Sequence, residues 1–249
     1  MSRTFEALQQ ATKDNLIDAN EIRIFNAATK ARPNVAATAR IPNELVEEFR
    51  QLKHNVAGIE SDKKIKTVLL CCSTEGEGNT TVLVNFARTI ASEGEQVLVV
   101  DANLHNPAIH RLLNLEQRNG FTDVLLGRAA VSEVIKKTTV TNLFAITCGT
   151  RSTSPSSLLE SERLPLIIEQ LKPLADWVLF DAPPVIACND ARTLAARMDG
   201  VIMVIEAEKT RWEVFNSARQ RMESSAANIL GAVLNKRQMH IPGWAYNKL

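Results

Sequence analysis

The sequence predicts an α/β fold, a mainly parallel β-sheet flanked by helices, with a helical N-terminal extension. Three observations carry this reading. From residue 65 onward, short continuous apolar runs recur: "IKTVLLCC", "QVLVVDA", "NLFAITCG", "DWVLFDAP", "GVIMVIEA" and "ILGAVLNK". Each has the length and unbroken apolarity of a strand buried on both faces. Helical stretches such as "TVLVNFARTIASEG" and "RWEVFNSARQRMESSAA" lie between most of them, and strand–helix alternation specifies parallel strands joined by crossover helices. The residues suited to chemistry follow the apolar runs, at the carboxyl ends of strands, where open α/β sheets bind ligands.

The bulk properties agree. A chain of 249 residues suits one such domain with an extension, and 45% hydrophobic residues supply a sizeable core. A formal net charge of +1 gives no reason to expect nucleic acid as a partner. No apolar run reaches about 18 residues, so direct membrane insertion is not expected, and the polar start "MSRTFEALQQATKDN" does not read as a signal peptide. The four cysteines, Cys71, Cys72, Cys148 and Cys188, show no metal or redox spacing and read as small buried apolar residues in a reducing, cytoplasmic compartment. Cys71 and Cys72, adjacent on a strand, should face opposite sides of the sheet.

Taken in order, residues 1–40 are polar around "KARPNVAATAR" and read as a short amphipathic helix followed by a flexible arm; residues 41–249 form the main domain. "PNELVEEFRQLKHNVAGI" predicts a helix: Pro42 and Asn43 punctuate its start, and Leu45, Phe49, Leu52 and Val56 recur at helical spacing. Glu47, Arg50 and Lys53 share one face at spacings of three, which by itself reads as a solvated charged face with i,i+3 pairs.

The strand "IKTVLLCC" runs into "STEGEGNTT", residues 73–81. A glycine-rich loop between a strand and a helix is the context of the phosphate-binding motif G-x-x-x-x-G-K-[ST]. Ser73 stands in its first position, then Gly78, Asn79 and Thr80. Gly76 and Gly78 let the backbone turn its N–H groups inward, and the following helix N-terminus favours an anion. Thr74, Glu75, Gly76, Glu77, Gly78, Asn79, Thr80 and Thr81 are the candidate nucleotide-binding residues, with the Thr80 hydroxyl placed for Mg²⁺. Asp101 and Asp181 each end an apolar strand, in "VLVVDANLH" and "WVLFDAPPV", as candidate catalytic carboxylates and Mg²⁺ ligands. One such aspartate means little, since Asp often caps helices; two with the glycine loop form a specific set, a P-loop NTPase domain. His105 and His110 show no carboxylate–histidine pattern and read as surface residues. Lys63, Lys64 and Lys66 precede or enter the strand and belong at its far end.

With these motifs in place, the chain resembles the bacterial tyrosine kinases (BY-kinases) of capsule and exopolysaccharide systems over about residues 42–249. "STEGEGNTT", "VLVVDANLH" and "VLFDAPPV" are similar to their three Walker motifs, and "GFTDVLLGR", "SPSSLLESERL", "DGVIMVIEAEKTR" and "LGAVLNK" to further family segments. "SRTFEAL" and "IPGWAYNKL" resemble the ends of exosortase-associated members. The resemblance implies ATP or ADP with Mg²⁺, a membrane chain-length-determining partner that recruits the protein to the inner membrane face, and homo-oligomerisation through a face similar to Glu47–Arg50–Lys53.

The departures bear on activity. Asn79 stands at the P-loop lysine position; Asn103 and His105 replace the second aspartate and the arginine of the family's D-x-D-x-R; and Tyr246 is the only tyrosine, where the family ends in a tyrosine cluster. Trp244 and Tyr246 suit a docked tail, with Tyr246 as the sole possible phosphoacceptor. A hydrogen bond to a charged group is worth about 1.5–3 kcal/mol, or roughly ten- to a hundredfold in affinity, so weak nucleotide binding is expected. Loss of one preorganised donor costs about 10²–10³ in rate. The reading is a catalytically impaired regulator or scaffold, with an active autokinase of unusual motifs and a nucleotide-switched positioning ATPase as alternatives.

Overall fold

The structure is a computed structural model, and it describes residues 24–26, 41–59 and 64–237. Its strands are β1 (Ile24–Asn26), β2 (Thr67–Cys72), β3 (Val97–Asp101), β4 (Lys136–Lys137), β5 (Leu143–Ile146), β6 (Trp177–Asp181), β7 (Gly200–Glu206) and β8 (Ile229–Asn235). They form one sheet in the order β1-β8-β7-β2-β6-β3-β5-β4, parallel throughout except for the β4–β5 pair. All six apolar runs of the sequence appear as strands. Every residue of β2, β3 and β6 is buried, because helices cover both faces of a parallel sheet.

The helices are α1 (Asn43–Ala57), α2 (Asn79–Ser92), α3 (Ile109–Leu112), α4 (Phe121–Leu125), α5 (Val131–Val134), α6 (Pro155–Leu159), α7 (Arg163–Leu171), α8 (Asp190–Ala195) and α9 (Trp212–Glu223). Helix α1 starts after Pro42, as its punctuation predicts, and buries Leu45, Phe49, Leu52 and Val56; each such burial is worth roughly 1.5–3 kcal/mol. Phe49 meets Phe86 of α2, which meets Trp177 of β6, each pair at 6.2 Å between ring centroids. The period-2 rule separates the adjacent cysteines: Cys71 joins the core on one side of the sheet with Phe180 and Met203, and Cys72 the core on the other with Phe86 and Leu179.

Two elements depart from the expected pattern, both at sheet edges. Residues 24–26, inside the span read as a helix and arm, pair in parallel with β8. A three-residue edge strand carries too little periodicity to show in sequence. Strand β4, a Lys-Lys pair, follows no apolar run and is held by antiparallel pairing to β5. The rest of residues 1–40 and the tail bearing Trp244 and Tyr246 lie outside the described residues. Among the described residues, no helix is long and apolar enough to cross a membrane.

Candidate functional site

The site lies at the carboxyl ends of β2, β3, β6 and β8. The loop after β2 turns through Gly76 at φ +87° and Gly78 at φ +91°, a region side chains rarely adopt. Gly78 has a second constraint, since a Cβ there would stand 2.3 Å from Asn235 Nδ2. That amide donates to the Glu77 carbonyl at 2.8 Å and ties the loop to the end of β8. The Glu77 side chain turns inward: its buried carboxylate accepts from the Ser73 N–H (2.8 Å), the Thr74 hydroxyl (3.0 Å) and the Thr210 hydroxyl (2.6 Å). Thr74 and Glu77 therefore brace the loop from within. Glu75 accepts from Asn106 Nδ2 at 2.8 Å.

Gly78 opens α2, so the N–H groups of its first turn face the pocket end of the helix. Asn79 is buried. Its Nδ2 donates to Asp181 Oδ1 at 2.7 Å and to the Leu70 carbonyl at 2.9 Å. The residue at the lysine position is thus turned onto the end of the sheet. The Thr80 hydroxyl donates to Asp181 Oδ2 at 2.8 Å. Asp101 is the register partner of Asp181 on the adjacent strand. Its Oδ2 accepts from the Ala108 and Ile109 N–H groups at 3.1 and 3.0 Å, whereas Oδ1 is buried with no hydrogen-bond partner.

Two fully buried carboxylates thus sit side by side. Burial pushes Asp101 up to about 7 against the pull of the Ile109 and Ala108 N–H groups. Burial and then the charge of Asp101 push Asp181 well above the usual carboxylate range, against Thr80 and Asn79. Like charges this close resist joint ionisation unless a cation or proton joins them. The orphaned Asp101 Oδ1, the Asp181 carboxylate and the Thr80 hydroxyl are the hard oxygen donors that suit Mg²⁺, so the residues present fit that ion.

Thr80 borders a pocket of about 1030 Å³, lined also by Asn79, Thr81, Asn103, His105, Arg111, Cys188 and Lys236, and the two buried aspartates lie behind Asn79 and Thr80. Four features escaped the sequence reading. Lys236 supplies a pocket cation from the end of β8: its Nζ donates to the Gly76 carbonyl at 2.6 Å and pairs with Glu206 at 3.1 Å. The position of "LGAVLNK" at a strand's carboxyl end was the available signal. Arg111 adds a second cation from α3. His105, read as a surface residue without a carboxylate partner, in fact meets Asp190 at 2.8 Å; a separation of 85 positions in the chain hid the pair. Cys188, read with the buried apolar cysteines, is only half-buried and lines the pocket.

The other candidates lie elsewhere. Lys66 donates to the Lys172 carbonyl at 2.6 Å, at the opposite end of the sheet, as expected. On α1, Arg50 bonds Glu47 at 3.0 Å and Glu93 at 2.9 Å, and Lys53 bonds Glu93 at 2.5 Å and also pairs with Glu95. The cations of that face therefore have partners within the chain.

A glycine loop between strand and helix, a threonine at the helix start and a strand-end aspartate hydrogen-bonded to it define a P-loop NTPase-like protein. The chain belongs to the AAA domain family (AAA_31), whose profile matches residues 65–218. Bacterial proteins named as tyrosine-protein kinases are among its relatives. It is 28% identical over 214 residues to tyrosine-protein kinase YwqD of Bacillus subtilis (strain 168), covering 86% of this chain and 90% of that one. Among solved structures, the chimerical protein CapA2B2 superposes with a TM-score of 0.82 at 22% identity, over 93% of this chain and 99% of that one. The septum site-determining protein MinD of Pyrococcus horikoshii OT3, complexed with Mg-ADP, gives 0.60 at 23% identity, over 74% and 76%.

Proposed function

We propose that this chain is a BY-kinase-like component of exopolysaccharide or capsule biosynthesis and export, acting as a catalytically impaired regulator or scaffold. It works with a membrane chain-length-determining partner that brings it to the inner membrane face. The observation that carries the impairment is the placement of Asn79. Where a lysine would bring charge to the β- and γ-phosphates, a neutral amide is bonded to Leu70 O and Asp181. Asn103 adds to this, since the second motif offers one carboxylate, Asp101, instead of two.

Nucleotide binding survives in weakened form. The N–H groups at the start of α2, the loop held by Glu77 and Asn235, and the oxygen donors Thr80, Asp101 and Asp181 are all in place to receive a Mg²⁺-bound diphosphate. When bound, the ion neutralises phosphate charge and the buried carboxylates. The chain's own part is to orient the phosphates on the helix N-terminus through backbone donors. A residue that contacts mainly the β/γ region is the one missing, so ADP should bind nearly as well as ATP.

Phosphate transfer from labelled ATP tests the reading, followed to Tyr246 and to an added tyrosine peptide. The wild type should be slow. Asn79→Lys with Asn103→Asp should recover more than either change alone, because residues of one catalytic unit act non-additively. A wild type as fast as the double variant assigns an active kinase. ATP hydrolysis coupled to a change of oligomeric state, without transfer, assigns a nucleotide-switched positioning ATPase.

A further inference from the structure

At the pocket wall, where His105 and Cys188 line the cavity, three side chains of metal-binding type converge with the buried Asp190 among them, and the proposed function uses none of them. His105 follows β3, Cys188 lies between β6 and α8, and Asp190 begins α8. One donor atom from each lies within 4.8 Å of the others. Two of the atoms, His105 Nε2 and Asp190 Oδ2, are already 2.8 Å apart.

We propose that His105, Cys188 and Asp190 form a binding site for a borderline-soft divalent transition-metal cation of the Zn²⁺ type. The donor set chooses the class of ion. Imidazole nitrogen with thiolate sulfur suits Zn²⁺ and its neighbours, whereas Mg²⁺ and Ca²⁺ take oxygen. The site is therefore chemically distinct from the oxygen-donor set at Thr80, Asp101 and Asp181.

The geometry is close to what such an ion needs. Bonds of about 2.0–2.3 Å at tetrahedral angles place donor atoms roughly 3.3–3.7 Å apart. As the cation replaces the hydrogen between them, His105 and Asp190 open from 2.8 Å by roughly half an ångström, and the sulfur, within 4.8 Å of both, closes in by about an ångström. The parts able to move are the right ones: the His105 side chain is 42% exposed, while that of Asp190 is 3% exposed and fixed. Coordination requires the Cys188 thiolate, the thiol proton passing to solvent as the ion binds. Three protein donors leave a fourth position for water or a pocket ligand, as in open zinc sites. An ion here ties the segment after β3 to the start of α8 beside the pocket.

The test needs no nucleotide and so stands apart from the proposed function. Co²⁺ is titrated into the reduced, metal-free full chain and followed by absorption. A thiolate-to-cobalt charge-transfer band in the near ultraviolet with intense tetrahedral d–d bands is expected, abolished by added Zn²⁺. Cys188→Ser should remove the charge-transfer band, and His105→Gln should weaken cobalt binding by at least about tenfold. His110→Gln should leave both unchanged. Circular dichroism confirms that each variant is folded. Absence of the band in the wild type, or its persistence in Cys188→Ser, overturns the proposal, as does unaltered affinity in His105→Gln.

Discussion

Replacing Asn79 by lysine probes the site most directly. In the structure the Asn79 amide makes two short bonds, to Asp181 and to Leu70 O, each worth about 1 kcal/mol net. A lysine can keep the Asp181 contact as an ion pair or extend to the phosphates, and the backbone donors and Thr80 need not move. A charged hydrogen bond gained at the phosphate is worth about 1.5–3 kcal/mol, so Kd for Mg-ATP should fall roughly ten- to a hundredfold. Calorimetric titration of wild type and variant with ATP and ADP measures it, and ATP should gain more than ADP. A second reading is available without nucleotide. Asp101 is held at about 7, above its unfolded value near 4, so its contribution to stability is full at low pH and lost as pH rises towards 7. A cation at position 79 lowers that folded value and flattens the decline. A folded variant whose affinity changes less than about threefold, with an unchanged pH slope, would refute the argument that position 79 controls charge in this pocket.

The same carboxylate pair predicts how the unmodified protein responds to pH and metal. Without divalent cation, its melting temperature should fall between about pH 4 and pH 7, since each pH unit over which only the folded state holds one proton costs about 1.4 kcal/mol. Asp101→Asn should flatten that slope, and Mg-ADP should stabilise more at about pH 8 than at about pH 6; an unchanged slope in Asp101→Asn would count against burial as the cause. For assembly, Arg50→Ala removes the guanidinium shared by Glu47 and Glu93 and should lower the light-scattering mass of concentrated protein towards the monomer. An unchanged mass would assign this face to pairing inside the chain alone.

Strand–helix alternation and the glycine loop were legible in the sequence because both are local. Continuous apolar runs report burial on two faces, and a strand-loop-helix order puts Gly76, Gly78 and Thr80 at a strand's carboxyl end before any coordinates are known. Asp101 and Asp181 were legible for the same reason, each ending its own apolar run. The direction of the Asn79 side chain was not, since it depends on Leu70 O and Asp181 arriving from two strands. Nor was Lys236 at the Gly76 carbonyl, or His105 against Asp190, pairs that the chain separates by 160 and 85 residues. By itself the sequence determined the parallel fold, the phosphate loop and its missing lysine. Only the tertiary structure decided what occupies the lysine's place and which distant side chains share the pocket, because contacts across a sheet depend on strand order, and strand order is set by long-range packing that no local periodicity records.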